Sequence, residues 1–567
     1  MPRRRRPDHG RVAFELEEGQ HAADAGPDGD PPGASAGPGS PDGDTASTGP
    51  DAHRTTAAAR RRRRRRALVA AAAGVVVVGA MIVVDAVSSS GSLEAVRRSV
   101  GGVEPLPSVP AELWTVPAQT AGTPATLPGL LVLVRDDEAV AHDLDTGEVR
   151  WTVPLPPASR CGSELVLSST APVPDDELVC VTDDVPSPLE AMTTITPLTD
   201  QPVPAAEGAE VTVIDAEGNA ETRTLDATRG WSAPGPDGTV ARFRRAGEAP
   251  VDSPRVTVDQ TTGVPSDLSA GRPAVVTLED ARTGQVRWEH EVPFVAEEGS
   301  CRQYSDVEGV TYAELDGATL VRGAGLLVVR GCGVDAWFTA DGTRVDDPRA
   351  PADTLSRLPD GALYRATSRG STADGAASPG PPVVLEPGGD VRWEPPGAVL
   401  VPSATDGTAD DLVLMREVTD LVAHDATGSR RWASADLNAP SQAYVVAGGT
   451  AVVFQDMGLV VVGVDVETGR VLWTRDTAAL TSPGPDGPTT PAPMSMVTQA
   501  FTDGARALLV VTTWAEDGED TVRLVALDLR DGDVEWRGDA TTGSWYVAAQ
   551  GRLLRADRGD ATVTRLG

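Results

Sequence analysis

There is no lysine in this 567-residue chain; all 49 basic residues are arginine. A GC-rich coding sequence gives such a bias, and it carries no functional signal by itself. It does exclude a phosphate-cradling glycine loop built on a lysine, and no His-Glu-x-x-His helix is present either. Histidine is scarce, and only His142, His290 and His424 fall beyond residue 85. The four cysteines include no adjacent pair and no Cys-x-x-Cys, which argues against a zinc site. Aromatic residues make up 4% of the chain, but valine, leucine and alanine supply enough apolar surface for a large core.

Charge is unevenly placed. Residues 1–66 carry 13 Arg against 10 acids, while residues 85–567 carry 36 Arg against 73 acids. A domain this acidic repels phosphate, so nucleic acid is not an expected partner. Its acid excess reads as a solvated surface. Residues 1–59 are rich in Pro, Gly, Asp, Ala and Ser and cannot bury enough surface to order themselves; Arg3 to Arg6 fit a solvated tail.

Residues 67–84, ALVAAAAGVVVVGAMIVV, form an uninterrupted apolar run, and eighteen residues of helix span about 27 Å, enough for a bilayer core. Seven arginines, Arg60, Arg61, Arg62, Arg63, Arg64, Arg65 and Arg66, precede it and place the N-terminus in the cytoplasm. A cleaved signal peptide is the competing reading, but its basic head would not sit behind a long tail. The string Arg65-Arg66-Ala67-Leu68-Val69 is only a weak twin-arginine match. The expected organisation is a cytoplasmic tail (1–66), a transmembrane helix (67–87), an extracytoplasmic linker (88–109) and one large domain (110–567). Cys161, Cys180, Cys301 and Cys332 all fall in that outer domain, where an even count reads as disulfides. Four cysteines allow three pairings; Cys161–Cys180 and Cys301–Cys332 are favoured because each pair sits within or beside one repeat.

Six segments share one pattern: an apolar run, an acid, a turn ending in Gly, and a Trp four residues later. The pairs are Gly147 and Trp151, Gly284 and Trp288, Gly389 and Trp393, Gly428 and Trp432, Gly469 and Trp473, and Gly532 and Trp536. Between Trp432 and Trp473 four short strands are legible in about 40 residues, the scale of a propeller blade. Asp143, Asp280, Asp465 and Asp528 lie four residues before the Gly, where a carboxylate can cap the turn backbone and Gly accepts positive φ. Two further units, around Asp215 and Gly218 and around Asp341 and Gly342, lack the Trp. Pro- and Gly-rich stretches at 184–209, 246–272, 367–380 and 477–496 read as insertions between strands. The C-terminus offers three strands without a fourth, and ELWTVP around Trp114 matches EVRWTVP around Trp151, so the N-terminal strand is expected to complete the last blade and close the ring. Eight four-stranded blades are expected, within a range of seven to nine.

These repeats resemble the quinoprotein, or PQQ-like, propeller repeat, in which each blade ends in a Gly and a Trp that docks on the neighbouring blade. As a whole the chain resembles membrane-anchored PQQ-binding-like β-propeller proteins of high-GC Gram-positive bacteria. The resemblance implies either a quinoprotein dehydrogenase, with a vicinal disulfide, a calcium site and an Asp base, or a cofactor-free binding scaffold. The vicinal pair is missing, and Glu516, Asp517, Glu519 and Asp520 lack EF-hand spacing. His142-Asp143 and His424-Asp425 recur at one repeat position and read as structural. The expectation is a membrane-tethered, non-catalytic propeller without cofactor, metal or catalytic residues. It would bind a protein, peptide or cell-envelope ligand through its loops and channel mouth. A PQQ-dependent dehydrogenase and a transmembrane sensor are the alternatives.

Overall fold

In the computed structural model the described residues are 94–567, apart from 119–123, 136, 158, 163–175, 183–208, 248–254, 260–264, 297–300, 306–309, 324, 347–353, 367–380, 435–436, 438–439, 456–458, 482–493, 515–519 and 558. The apolar run 67–84, the arginine run, the tail and the acidic stretch 516–519 lie outside them. Among the described residues no helix is long and apolar enough to cross a membrane.

The valine-rich runs fold into short antiparallel strands that collect into successive sheets. Among the described residues nine sheets follow one another along the chain: sheet 1 (125–154), sheet 2 (159–224), sheet 3 (231–292), sheet 4 (318–338), sheet 5 (354–393), sheet 6 (398–434), sheet 7 (442–476, with Ala404–Thr405 added in parallel beside its first strand), sheet 8 (494–540) and sheet 9 (544–566). Strands within each are lettered A to D in sheet order. Strand D of sheet 9 is Glu112–Pro117, which pairs with Thr562–Leu566 and so joins distant parts of the chain. Eight blades, within a range of seven to nine, are expected from the sequence; the described sheets number nine when the closing sheet of the three C-terminal strands and Glu112–Pro117 is counted beside the eight repeat units. Sheet 4 has three strands, its fourth reduced to a bridge between Phe338 and Arg344. An additional three-stranded sheet (255–257, 302–305 and 311–314) is built from insertions around sheets 3 and 4.

Burial follows position in the sheet. Strand B of sheet 1, Leu130–Val134, is buried throughout, because the middle strands have neighbours on both faces and read as continuous apolar runs. Strand D, Val149–Pro154, is mostly exposed and marks the outer edge. Strands A and C run one way and B and D the other, so A–B and C–D connections share one end, the turn end. B–C and D–A connections share the opposite end, the loop end.

The C–D turns carry the repeat's acids. In sheet 7, Asp465 Oδ1 accepts from the Glu467 and Thr468 amides and the Thr468 hydroxyl, and Gly469 takes φ +74°. These hydrogen bonds to the ionised form hold Asp465 below the ordinary carboxylate value, the Thr468 hydroxyl contributing most. Asp215 and Asp425 are lowered in the same way, chiefly by Asn219 and Thr427.

Residues 94–106, expected as part of a linker, are docked on the domain. Residues 94–98 are helical, and beyond them Thr405 N donates to Val100 O while Val103 N donates to Thr502 O.

Candidate functional site

The repeat Gly and Trp of one unit do not meet; the Trp of one sheet lies on the Gly of the next. A Cβ built on Gly147 would sit 2.7 Å from Trp114 Cγ, one on Gly218 2.6 Å from Trp151, and one on Gly342 2.7 Å from Trp288. Gly428 lies under Trp393, Gly469 under Trp432 and Gly532 under Trp473. The indole N–H then donates to the carbonyl of the residue after the turn's first position: Trp114 to Leu144 (3.3 Å), Trp151 to Ala216 (3.0 Å), Trp288 to Ala340 (3.1 Å), Trp432 to Val466 (2.7 Å) and Trp473 to Leu529 (2.9 Å). Trp393 instead stacks on His424, with ring centroids 5.5 Å apart. Each repeat Trp follows a one-residue slip in strand pairing, so the residue before it, such as Arg150 or Leu472, is a bulge. Bulges re-aim side chains, and here they turn the indole toward the neighbouring sheet.

Sheet 2 lacks both the slip and the Trp. Arg223 takes over the seam. Its Nε donates to Ala281 O at 2.7 Å, the counterpart of the indole bond, and its Nη2 reaches Glu279 at 3.0 Å. Glu279 is 2% exposed and also accepts from Arg229 at 2.7 Å, with Arg242, 1% exposed, 3.8 Å away. The repeat pattern gave no sign of this charge cluster. An arginine on the outer strand of a unit without a Trp is the signal that could have found it.

The described histidines sit within the sheets, and His424 Nε2 meets Glu417 Oε1 at 2.9 Å. His142 and His424 contact turn carbonyls, Gly147 O at 3.0 Å and Gly428 O at 2.8 Å. Adjacent strand residues point to opposite faces, so His142 and Asp143 form no acid–base pair. His290 packs between Trp288 and Phe338. Among the described residues no group of three or more His, Cys, Asp or Glu could hold a metal. Asp335 is pushed above the ordinary carboxylate value, by burial first, and accepts from the Trp337 indole at 3.0 Å.

Cys161 and Cys180 are bonded across strands A and B of sheet 2. Cys301 and Cys332 are bonded beside the inserted sheet. There Arg245, buried, donates to Leu315 O and Cys332 O at 2.7 and 2.8 Å and braces the loop end. Burial lowers its guanidinium to about 10.

The four Pro- and Gly-rich insertions share one end, whereas the A–B connections 162–176 of sheet 2 and 400–411 of sheet 6 lie at the turn end. Those at 184–209, 246–272 and 367–380 are B–C connections, and 477–496 covers a D–A connection, so all four emerge at the loop end. Val418, 93% exposed, sits in the B–C turn of sheet 6; exposed Leu459 belongs to the B–C side of sheet 7, and exposed Met494 and Met496 begin strand A of sheet 8. The turn end exposes Val149, Val286 and Val391 at the starts of strands D, but its carboxylates are already engaged by its own backbone and it carries none of the four Pro- and Gly-rich insertions. The loop end is the candidate binding surface.

The family model described as outer membrane protein assembly factor BamB, of the PQQ-repeat type, matches residues 108–328 and 384–563, more than half of the chain. The comparison with curated proteins finds no match. Among solved structures, BamB from Moraxella catarrhalis is 13% identical, with 81% of this chain and 99% of that chain covered and a TM-score of 0.33. Quinohemoprotein alcohol dehydrogenase from Comamonas testosteroni is 12% identical, covering 81% and 76%, with a TM-score of 0.31. AztD from Citrobacter koseri is 13% identical, covering 61% and 86%, with a TM-score of 0.25. The chain therefore belongs to the PQQ-repeat family described as outer membrane protein assembly factor BamB.

Proposed function

We propose that the nine sheets are the blades of a propeller that works as a non-catalytic binding module, tethered to the cell membrane by residues 67–87 and held on the extracytoplasmic side. The observation that carries this reading is the placement of the four Pro- and Gly-rich insertions, together with Val418, Leu459, Met494 and Met496, at the loop end. Variable loops on a rigid sheet scaffold are where binding residues concentrate. The ligand is a protein, peptide or cell-envelope component taken up by that end. The family's printed description, an assembly factor, agrees with a protein partner. His142, His424 and the turn carboxylates are engaged in hydrogen bonds of the fold, and His290 packs against Trp288 and Phe338, which supports a role without catalysis.

Titration of PQQ, with calcium present, into the purified full chain in detergent tests this by calorimetry and absorbance. Absence of saturable heat is expected. One-to-one binding would establish the dehydrogenase reading instead, with alcohols and sugars as the next substrates to screen.

A further inference from the structure

At most seams the tryptophan of one sheet finds its acceptor in the C–D turn of the next. Sheet 9 has no such turn, because its strands C and D are residues 562–566 and 112–117. Trp536, the last repeat Trp, donates at 2.9 Å to the carbonyl of Leu106 in the docked N-terminal segment. Leu106 N in turn donates to Asp503 Oδ2 of sheet 8 at 3.1 Å. Thr502 N donates to Gly101 O at 3.0 Å and Val103 N to Thr502 O at 2.8 Å, while Glu104 N donates to Gly551 O of sheet 9 at 2.6 Å. Val103 and Leu106 are buried with Trp536, Phe501, Tyr546 and Leu553, side chains of sheets 8 and 9. Gly101, at φ +63°, and Gly102 permit the close approach; a Cβ on Gly101 would lie 2.6 Å from Ala404 Cβ, and one on Gly102 would collide with Val96 O. Sheets 8 and 9 also touch directly, where the Gln499 amide group exchanges hydrogen bonds of 2.8 and 3.0 Å with the Tyr546 backbone.

We propose that residues 94–106 are a clasp inserted in the seam between sheets 8 and 9, and that undocking it opens this seam and leaves the others shut. When it leaves, the Trp536 indole loses its acceptor and Asp503 loses the Leu106 amide while keeping Arg506 Nη1 at 2.9 Å, and apolar surface on both sheets meets water. The Gln499–Tyr546 contact remains as the hinge. A second segment lies between sheets: Ala404–Thr405, from the range of sheet 6, pairs in parallel with Val445 and Val446 of sheet 7 and is buried with Val497 and Ala500 of sheet 8; unlike the clasp, it is held at both ends by sheet 6. In sequence nine residues separate the clasp from the apolar run 67–84, so on the anchoring proposed above the clasp is the part of the domain nearest in sequence to the membrane. The ring thus has one releasable junction, and its release is a conformational step beyond ligand binding at the loop end.

Hydrogen exchange of the full chain in detergent, read by mass spectrometry on Gly102→Val and on the milder Leu106→Ala, tests this. The expected result is exchange faster by on the order of tenfold or more in residues 112–117 and 544–566, with residues 231–292 unchanged in both variants. Two results would overturn the clasp: segment 101–106 exchanging freely while 112–117 and 544–566 keep their protection, or all sheets losing protection together.

Discussion

Trp432 of sheet 6 gives its indole hydrogen to Val466 O of sheet 7 at 2.7 Å, with Gly469 directly beneath the ring. Two neighbouring repeats are joined by this one residue, half-hydrophobic anchor and half hydrogen-bond donor. Trp432→Ala should therefore cost about 3–5 kcal/mol in denaturant unfolding, as for other buried aromatic truncations. Gly469→Ala, at φ +74° and under the ring, should cost about 1–2 kcal/mol or more. A change within about 0.5 kcal/mol for Trp432→Ala would mean that the indole is only surface cover.

Arg223 and Glu279 form the seam between sheets 2 and 3, one of two without a repeat tryptophan; at the other, Gly389 meets Thr343 and Val345. Removing one partner of a buried ion pair strands the other, so Glu279→Gln should destabilise by about 3–5 kcal/mol. The loss should centre on sheets 2 and 3, visible as faster exchange in 210–224 and 274–292. Unchanged stability would show that Arg229 and Arg242 do not need this carboxylate.

The turn aspartates predict an acid limb. Asp215, Asp425 and Asp465 have lowered values in the fold, so their ionised forms stabilise it. That stability is present above the unfolded Asp value of about 3.9 and is lost as pH falls through the lower folded values. Unfolding midpoints should drop below about pH 4, and the triple Asp→Asn variant at these sites should show a flatter limb. An identical limb in the variant would place the acid sensitivity elsewhere.

Anchoring has its own test. The full chain should stay with membranes after an alkaline carbonate wash, and protease added outside intact cells should reach the propeller but not residues 1–66. Replacing Arg60 to Arg66 with glutamine should weaken or invert this orientation. Release by carbonate would contradict the anchor.

Much of the architecture was legible because it repeats. Asp465, Gly469 and Trp473 specify a turn, a positive φ and a dock through local chemistry; six copies of the Gly–Trp pair, five of them preceded by an Asp, mark six of the sheets. The match of ELWTVP to EVRWTVP likewise pointed to strand D of sheet 9. Arg223 was illegible because it replaces the indole from a different register, two residues beyond the position that pairs with Val213. The clasp was illegible too: Gly101, Gly102 and Leu106 act through contacts with residues some 400 positions later, and nothing in their own sequence carries a period. The loop end could be placed only once strand order was known, since insertions have no pattern of their own.

The most direct measurement is site-specific photocrosslinking in intact cells, with a photoreactive residue at Val418, Leu459 or Met494 of the loop end and at Glu467 or Asp531 of the turn end. Loop-end positions should give discrete adducts with a partner, and turn-end positions should not. Adducts confined to Glu467 and Asp531 would contradict the account.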